Sequence, residues 1–484
     1  MTLTSYDFLV FFIIVFSLYW LARRRQWQNL LLLAASYVFY GWVHPWYALL
    51  LGLSTLADYG LALGMARDRR RVRLFLTFSL ILNLGVLAVF KYYNFFSEGL
   101  VAALTGLGFQ ADALLTRVLL PAGLSFYTLK KLAYIFDVAN GSLEPTRDLL
   151  GFSLFVAFFP QINAGPIDRA QKLLPQIQSD RTWQADNFHS AWPLLVMGFF
   201  KKVVIADTMR VAVDRVFNMK EPTVLLLFAA ALGFTLQILA DFSAYTDLAR
   251  GVARLFGFET TENFRSPYLS LTPTDFWNRW HITLSTWLRD YIFFPLRRAL
   301  LRARWPGWLA DALPPLAAMF VSGLWHGAGW TYAVWGLYFG VLIVVYQAIG
   351  MGGAWRPANK ATRFFAWLTM FLLLVFSFAV FRASTLGWLI AVLTRAPLLG
   401  SVEYQAVALA TLSMTLFYAA PLFVKSLMDR HLSANSIWRD VYLVGATLAM
   451  LAFLNASAPD RRVDLSSAAP LSSAFPVPAG TRFR

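Results

Sequence analysis

Long apolar runs alternate with short basic or polar breaks from Tyr6 to Leu454. The first run, 8–21, has no basic residue before it, is followed by Arg23, Arg24 and Arg25, and lacks a small-residue cleavage site. It predicts a retained membrane anchor and not a cleaved signal peptide. Runs 30–42 and 46–64, parted by a His44-Pro45 turn, lead to a second basic cluster of Arg67, Arg69, Arg70, Arg71 and Arg73. An extracytoplasmic N-terminus puts both clusters on the cytoplasmic side, where lysine and arginine accumulate. Further runs follow at 74–90, 100–109, 114–138, 149–162, 192–206, 224–240, 313–324, 332–349, 364–381, 386–399, 406–424 and 441–454. Several are shorter than the roughly 20 residues that span a bilayer, so some are expected to be re-entrant, tilted or enclosed by protein.

The segment 155–167, FVAFFPQINAGPI, is the clearest of these, because Pro160, Gly165 and Pro166 interrupt its apolar run. Broken backbone at membrane depth requires protein or a water-filled cavity to receive its polar groups. The segment is expected to line a cavity, with Asn163 as a pocket residue; a kinked helix between bundle neighbours is the alternative.

Composition sharpens this picture. Of 484 residues, 58% are hydrophobic and only 14% charged, against about 25% charged in ordinary soluble domains. One polytopic helical unit over 1–455 is expected, with a weakly ordered Ser/Pro/Ala-rich tail at 456–484. The formal charge of +16, from 42 Lys+Arg against 26 Asp+Glu, is spread in small clusters between apolar runs. That distribution suits anionic lipid headgroups and not nucleic acid. With no cysteine in the chain, a disulfide framework, a thiol nucleophile, a cysteine–zinc site and S-acylation of the chain are excluded.

No phosphate-binding loop, dinucleotide fingerprint, nucleophile elbow or HExxH motif occurs, and no metal site is expected. Of the five histidines, His44, His189 and His431 lie in turns or near charged loops. His326 differs: it sits in SGLWHGAGWTYAVW, between Trp325 and Trp330, with glycines at 323, 327 and 329. An ionisable side chain in so apolar a stretch needs a partner or a task, and the glycines let a ligand or backbone approach the ring. A buried, neutral imidazole is a candidate general base; a histidine satisfied by a neighbouring carbonyl is the plain alternative.

His281 lies in TDFWNRWHITLSTWLRDYIFFPL, 274–296. As one helix at 100° per residue, this segment gathers Trp277, Trp280, His281, Leu284, Trp287, Leu288 and Tyr291 in an arc of about 120°. It predicts an amphipathic interfacial helix with His281 at the edge of the buried arc. Lys201, Lys202, Asp241 and Asp247 interrupt other apolar runs, and such charges either pair or line a polar passage.

These residues resemble the membrane-bound O-acyltransferase family. The resemblance rests on DFWNRWHITLSTWLRDYIFFPL at 275–296 and GLWHGAGWTYAVWGLYFG at 323–340, supported by GLSFYTLKKLAYIFDV at 123–138, FFPQINAGPIDRAQKLLPQ at 158–176, GFFKKVVIAD at 198–207 and DFSAYTDLARGVARLFGFETTENFRSPYL at 241–269. It covers roughly 120–340 and is strongest for the bacterial branch that serves alginate O-acetylation and teichoic acid D-alanylation. Departures occur at Lys130 and Lys131, which replace uncharged residues, at Asn163, and at the basic connection 297–306, which replaces a glycine-rich loop.

The resemblance implies an all-α integral membrane protein of a bacterial inner membrane, a bundle with short, tilted and re-entrant helices around a central tunnel. It makes His326 the catalytic residue and His281 the second site residue, a position held by histidine or asparagine in the family. Trp325, Trp330 and Trp280 are expected to shape the pocket, with Asn163, Asp241 and Asp247 along the tunnel. The implied reaction moves an acyl group, acetyl in the alginate-type members, from a cytoplasmic thioester to a hydroxyl of an exopolysaccharide or other envelope glycan. No cofactor is bound; acetyl-coenzyme A or an acyl carrier protein is the co-substrate, and an extracytoplasmic acyltransferase can relay the group. A proton-coupled or solute transporter built on the buried His and Asp residues is the alternative, weakened by the absence of internal repeats. A non-catalytic membrane scaffold is a third class.

Overall fold

The computed structural model describes residues 1–107, 118–353, 355–433 and 436–456. The tail at 456–484 lies, apart from its first residue, outside the described residues, as do parts of the 100–109 and 114–138 runs. Every regular element among the described residues is helical. Eight helices among the described residues are long and apolar enough to cross a membrane, which makes this a multi-pass helical membrane protein. Its surface is the reverse of a soluble one: Ile13 and Ile14 of the first helix, Leu416 and Phe417 near the C-terminus, and Leu448 are all exposed. Lipid accepts apolar side chains but not free peptide groups. Helix starts are accordingly closed by side chains: Ser5, Asp148, Thr272, Asn359, Thr385 and Ser401 each accept the N–H of the residue three positions on, satisfying a donor the helix cannot.

The chain divides into two compact units. The first comprises Met1–Ala191 and Ala249–Thr261. It contains α1 (Tyr6–Leu21), α2 (Arg25–Gly41), α3 (Pro45–Arg67), α4 (Val72–Gly106), α5 (Leu124–Ala139), α6 (Leu149–Ala157), α7 (Ala170–Gln178) and the start of α8 (Ala185–Phe200). A buried ion pair ties three of these together. Asp58 of α3 meets Lys131 of α5 at 3.1 Å and accepts from Ser79 Oγ and Asn83 Nδ2 of α4 at 2.6 and 2.8 Å. Two charges removed from water cost several kcal/mol each unless fully engaged, and here the carboxylate has three partners.

The neighbouring Lys130 donates to Gln161 at 3.0 Å and lies over the Phe155 ring. Gln161 Nε2 donates in turn to Asp168 at 2.6 Å. These bonds belong to the interrupted segment foreseen at 155–167, which is not a kinked helix: α6 stops at Ala157 and non-helical chain runs on to α7. Protein receives its backbone. Phe159 N donates to Ser36 Oγ of α2 at 3.0 Å, and Gly123, at φ 77°, lets the start of α5 come so close that a Cβ there would lie 2.3 Å from the Ile162 carbonyl oxygen. Asn163 is half-buried in this segment.

The second unit comprises Trp192–Leu248 and the described residues from Glu262 on. It carries the rest of α8, α9 (Asp207–Phe217), α10 (Val224–Leu255, up to Leu248), α11 (Pro273–Trp277), α12 (Ile282–Leu288), α13 (Phe294–Arg302), α14 (Gly307–His326), α15 (Trp330–Ala348), α16 (Lys360–Arg382), α17 (Leu386–Arg395), α18 (Val402–His431) and α19 (Ile437–Ala456). Three residues separate α14 from α15, so the two form a hairpin, and glycines set its spacing. A Cβ on Gly323 would lie 2.2 Å from the Tyr332 carbonyl oxygen, one on Gly336 2.3 Å from that of Met319, and one on Gly340 2.9 Å from Leu316 Cα. Apolar helices gain little from the hydrophobic effect inside lipid, so close backbone packing through small residues supplies the attraction.

Two outcomes are expected. Lys131→Met strands a buried carboxylate and should lower stability by about 3–5 kcal/mol, with much of the loss recovered in the Asp58→Asn/Lys131→Met double variant, measured by denaturation in detergent. Gly336→Val should abolish monodisperse folded protein on size-exclusion chromatography, whereas Gly85→Val on α4, where a Cβ meets nothing within 4 Å, should not.

Candidate active site

His326 is the last residue of α14, and extended backbone at Gly327, φ −170°, ends the helix there. Its imidazole stands edge-to-face against three rings: Trp325 at 4.9 Å between centroids, Trp335 of α15 at 5.1 Å and Phe381 of α16 at 5.4 Å. Both ring nitrogens are buried. The close α14–α15 hairpin is what brings Trp335, nine positions on in sequence, to this ring. Beyond it the aromatic packing continues through Trp277 and Phe339.

His281 reaches the same cluster by a different device. The single helix expected over 274–296 is broken: α11 ends at Trp277, α12 begins at Ile282, and a π-helical turn, Arg289–Phe293, precedes α13. The cause is competition for backbone groups. Ile282 N donates to the Asn263 carbonyl at 3.1 Å, and Arg265 N donates to the Arg279 carbonyl at 3.0 Å. Asn263 Oδ1 also accepts from Thr283 N and Oγ1 at 3.1 and 2.7 Å. This clamp holds His281 in the left-handed region, φ 43° and ψ 54°, a conformation open to few side chains besides glycine and asparagine. The foreseen apolar arc is nonetheless buried at Trp277, Trp280, His281, Leu284, Trp287 and Leu288, while Tyr291 is half-buried.

His281 is 0% exposed. Burial pushes its imidazole down to about 3, so it is neutral at physiological pH. It packs edge-on against Phe242 of α10 at 4.7 Å and against Trp325 at 5.9 Å. One indole, that of Trp325, therefore contacts both imidazoles. Trp280 is buried beside Phe264, Phe276 and Phe378, whereas Trp330, at the first position of α15, is 70% exposed.

The two nominated aspartates sit on α10 in ion pairs. A π-helical turn, Lys201–Ala206, presents consecutive lysines to them: Lys201 meets Asp247 at 2.6 Å and Ser243 at 2.9 Å, and Lys202 meets Asp241 at 2.8 Å and Asp207 at 3.0 Å. Phe242, flanked by Asp241 and Ser243, is the α10 residue that packs on His281. Asn163 belongs to the first unit, described above.

Asn263, Phe242, Trp335 and Phe381 were not singled out from the sequence. Trp335 carries a signal, since it faces the hairpin partner through the Gly323–Gly336 register. Phe381 and Asn263 carry none, because their proximity arises from tertiary contacts that no local period encodes.

Comparison with known proteins places the chain in a family. The sequence model of the membrane-bound O-acyltransferase family, MBOAT, matches residues 144–351, which include both histidines. The chain is 37% identical over 451 residues to a probable alginate O-acetylase, AlgI, of Pseudomonas aeruginosa, covering 88% of this chain and 84% of that one. It is 30% identical over 457 residues to a peptidoglycan O-acetyltransferase of Helicobacter pylori, covering 83% and 82%. A teichoic acid D-alanyltransferase of Bacillus subtilis is 30% identical over 273 residues, covering 54% of this chain and 68% of that one. On these grounds the chain belongs to the membrane-bound O-acyltransferase family and is an O-acyltransferase of the membrane.

Proposed function

We propose that this O-acyltransferase moves an acetyl group from a cytoplasmic thioester to a hydroxyl of an alginate-type exopolysaccharide, either directly or through an extracytoplasmic acyltransferase. The donor is acetyl-coenzyme A or an acetylated carrier protein, and the protein lies in the bacterial inner membrane with its N-terminus outside. The observation that carries this reading is the single indole of Trp325 in contact with the imidazoles of both His326 and His281. Relatives described as alginate O-acetylases support the acceptor class.

In the reaction His326 takes the proton of the acceptor hydroxyl as its oxygen attacks the thioester carbonyl, and returns it to the departing thiolate. General base catalysis of this kind contributes about 10²–10⁴-fold. His281, held neutral, orients the donor by hydrogen bonding and does not act as a fixed positive charge. The aromatic wall excludes water, which would otherwise hydrolyse the thioester. The carboxylates that a transporter's proton pathway would need, Asp241 and Asp247, are engaged by Lys202 and Lys201.

His326→Ala, expressed at wild-type membrane abundance in cells lacking the native protein, should reduce alkali-labile acetate in the envelope polysaccharide by about 100-fold or more; acetylation at the wild-type level would refute the assigned role. At His281 the backbone sets the outcome. His281→Asn should leave the melting temperature in detergent close to wild type, since asparagine enters the left-handed region readily, whereas His281→Val should lose about 1–2 kcal/mol.

A further inference from the structure

The aromatic cluster around His326 contains more hydrogen-bond donors than acceptors. Ser322 lies one turn before His326 on α14 and is fully buried, and its hydroxyl has no hydrogen-bond partner among the described residues. The indole N–H of Trp335, whose ring packs on the His326 imidazole, is also buried and makes no hydrogen bond among the described residues, and the same holds for Trp277, whose ring lies 5.8 Å from that of Trp335. Some buried donors in this protein are met, as Asn83 and Ser79 are by Asp58, Lys201 by Asp247 and Thr283 by Asn263, and others, such as Thr260 Oγ1, Ser270 Oγ and Asn263 Nδ2, are not met among the described residues. What sets Ser322 and Trp335 apart is their place beside the His326 imidazole. Leaving donors unmet in a water-poor interior is costly, so each calls for a partner, whether a buried water or a group of the substrate.

The chemistry of the cluster restricts what meets them. An indole N–H only donates, so its partner must present a lone pair and needs no proton. Phe339 and Phe381 pack against the Trp335 ring, so a partner for its N–H is best an oxygen carried on an otherwise apolar group. A carbonyl oxygen of a short acyl group has that character, and it is the atom on which negative charge grows when a hydroxyl attacks. Preorganised donors aimed at such an oxygen in a dry site are among the largest single contributors to acyl-transfer rates.

We propose that Ser322 Oγ and Trp335 Nε1 donate hydrogen bonds to the carbonyl oxygen of the acyl group during transfer, as catalytic residues beside the base; this rests on the assignment of His326 in the proposed function. As the acceptor oxygen bonds to the carbonyl carbon, its proton passes to the imidazole and the carbonyl π pair moves onto the oxygen held by the two donors. When that pair returns, the carbon–sulfur bond breaks, and the departing thiolate takes the proton from the imidazolium. Nothing is oxidised or reduced, and no further reactant enters. Trp277 closes the far side of Trp335 and is not assigned a bond to the substrate.

The test uses the full-length chain in cells that lack it, with wild type, Ser322→Ala, Trp335→Phe and His326→Gln compared at equal membrane abundance. The rate of appearance of alkali-labile acetate in the envelope polysaccharide after induction is read per folded protein, with the folded fraction taken from melting curves in detergent. Each donor variant should slow acetylation per folded protein by about 10²–10³-fold; Ser322→Ala should melt close to wild type, and the cavity left by Trp335→Phe is accounted for by the folded fraction. Acetylation per folded protein within about twofold of wild type in both variants would overturn the proposal and leave these donors to a buried water alone. So would a loss that tracks the loss of folded protein. His326→Gln separates the two assignments: a silent His326→Gln beside fully active donor variants removes only the oxygen-holding role, whereas an active His326→Gln removes the base on which it stands.

Discussion

Inside a bilayer a polar group that the protein leaves unmatched has no water to fall back on, and the whole of this structure answers to that constraint. The Asp58–Lys131 pair with its serine and asparagine, and the two lysine–aspartate pairs beside α10, are complete arrangements of charge and countercharge. The non-helical chain after α6 survives because Ser36 and the open space at Gly123 accept its backbone. Beside these satisfied groups, several buried polar atoms have no partner among the described residues, and those of Ser322 and Trp335 lie next to the imidazole to which the proposed reaction assigns the proton transfer.

The local pattern of the sequence carried much of this architecture. Apolar runs separated by basic clusters revealed the membrane fold, and Pro160, Gly165 and Pro166 marked the place where helix gives way to irregular chain. The glycines around His326 were read as room for close approach to its ring; Gly323 and Gly327 in fact admit Tyr332 of α15. What periodicity could not reveal was the break at His281. Seven apolar positions matched a helix face and six of them are buried, yet the helix does not exist as one piece, because Asn263 captures the backbone of Ile282 and the side chain and backbone of Thr283. A tertiary hydrogen bond outweighed a regular local pattern. The charged pairs were legible only as alternatives, since pairing and passage place the same residues in the same apolar runs.

Precision at the site depends on elements that cannot slide. His326 sits at the very end of a helix whose spacing from its partner is fixed by glycine contacts with backbone atoms, not by flexible side chains. His281 is fixed by three hydrogen bonds that the next two residues, Ile282 and Thr283, donate to one asparagine. With the roles proposed for the two histidines, acyl transfer would be sensitive to small displacements of the base from the attacking oxygen, and both devices would reduce the reorganisation needed when substrates arrive.

The glycine register between α14 and α15 also works as a ruler for evolutionary change. The three-residue connection from Gly327 to Gly329 fixes which face of α15 meets α14. One inserted or deleted residue would rotate α15 by about 100°, bringing bulky Leu337 or Trp335 to the position of Gly336 against the Met319 carbonyl. Substitutions can be sampled one at a time in this stretch, but changes of length cannot, so divergence among sequences of this kind is channelled toward side-chain chemistry and away from indels.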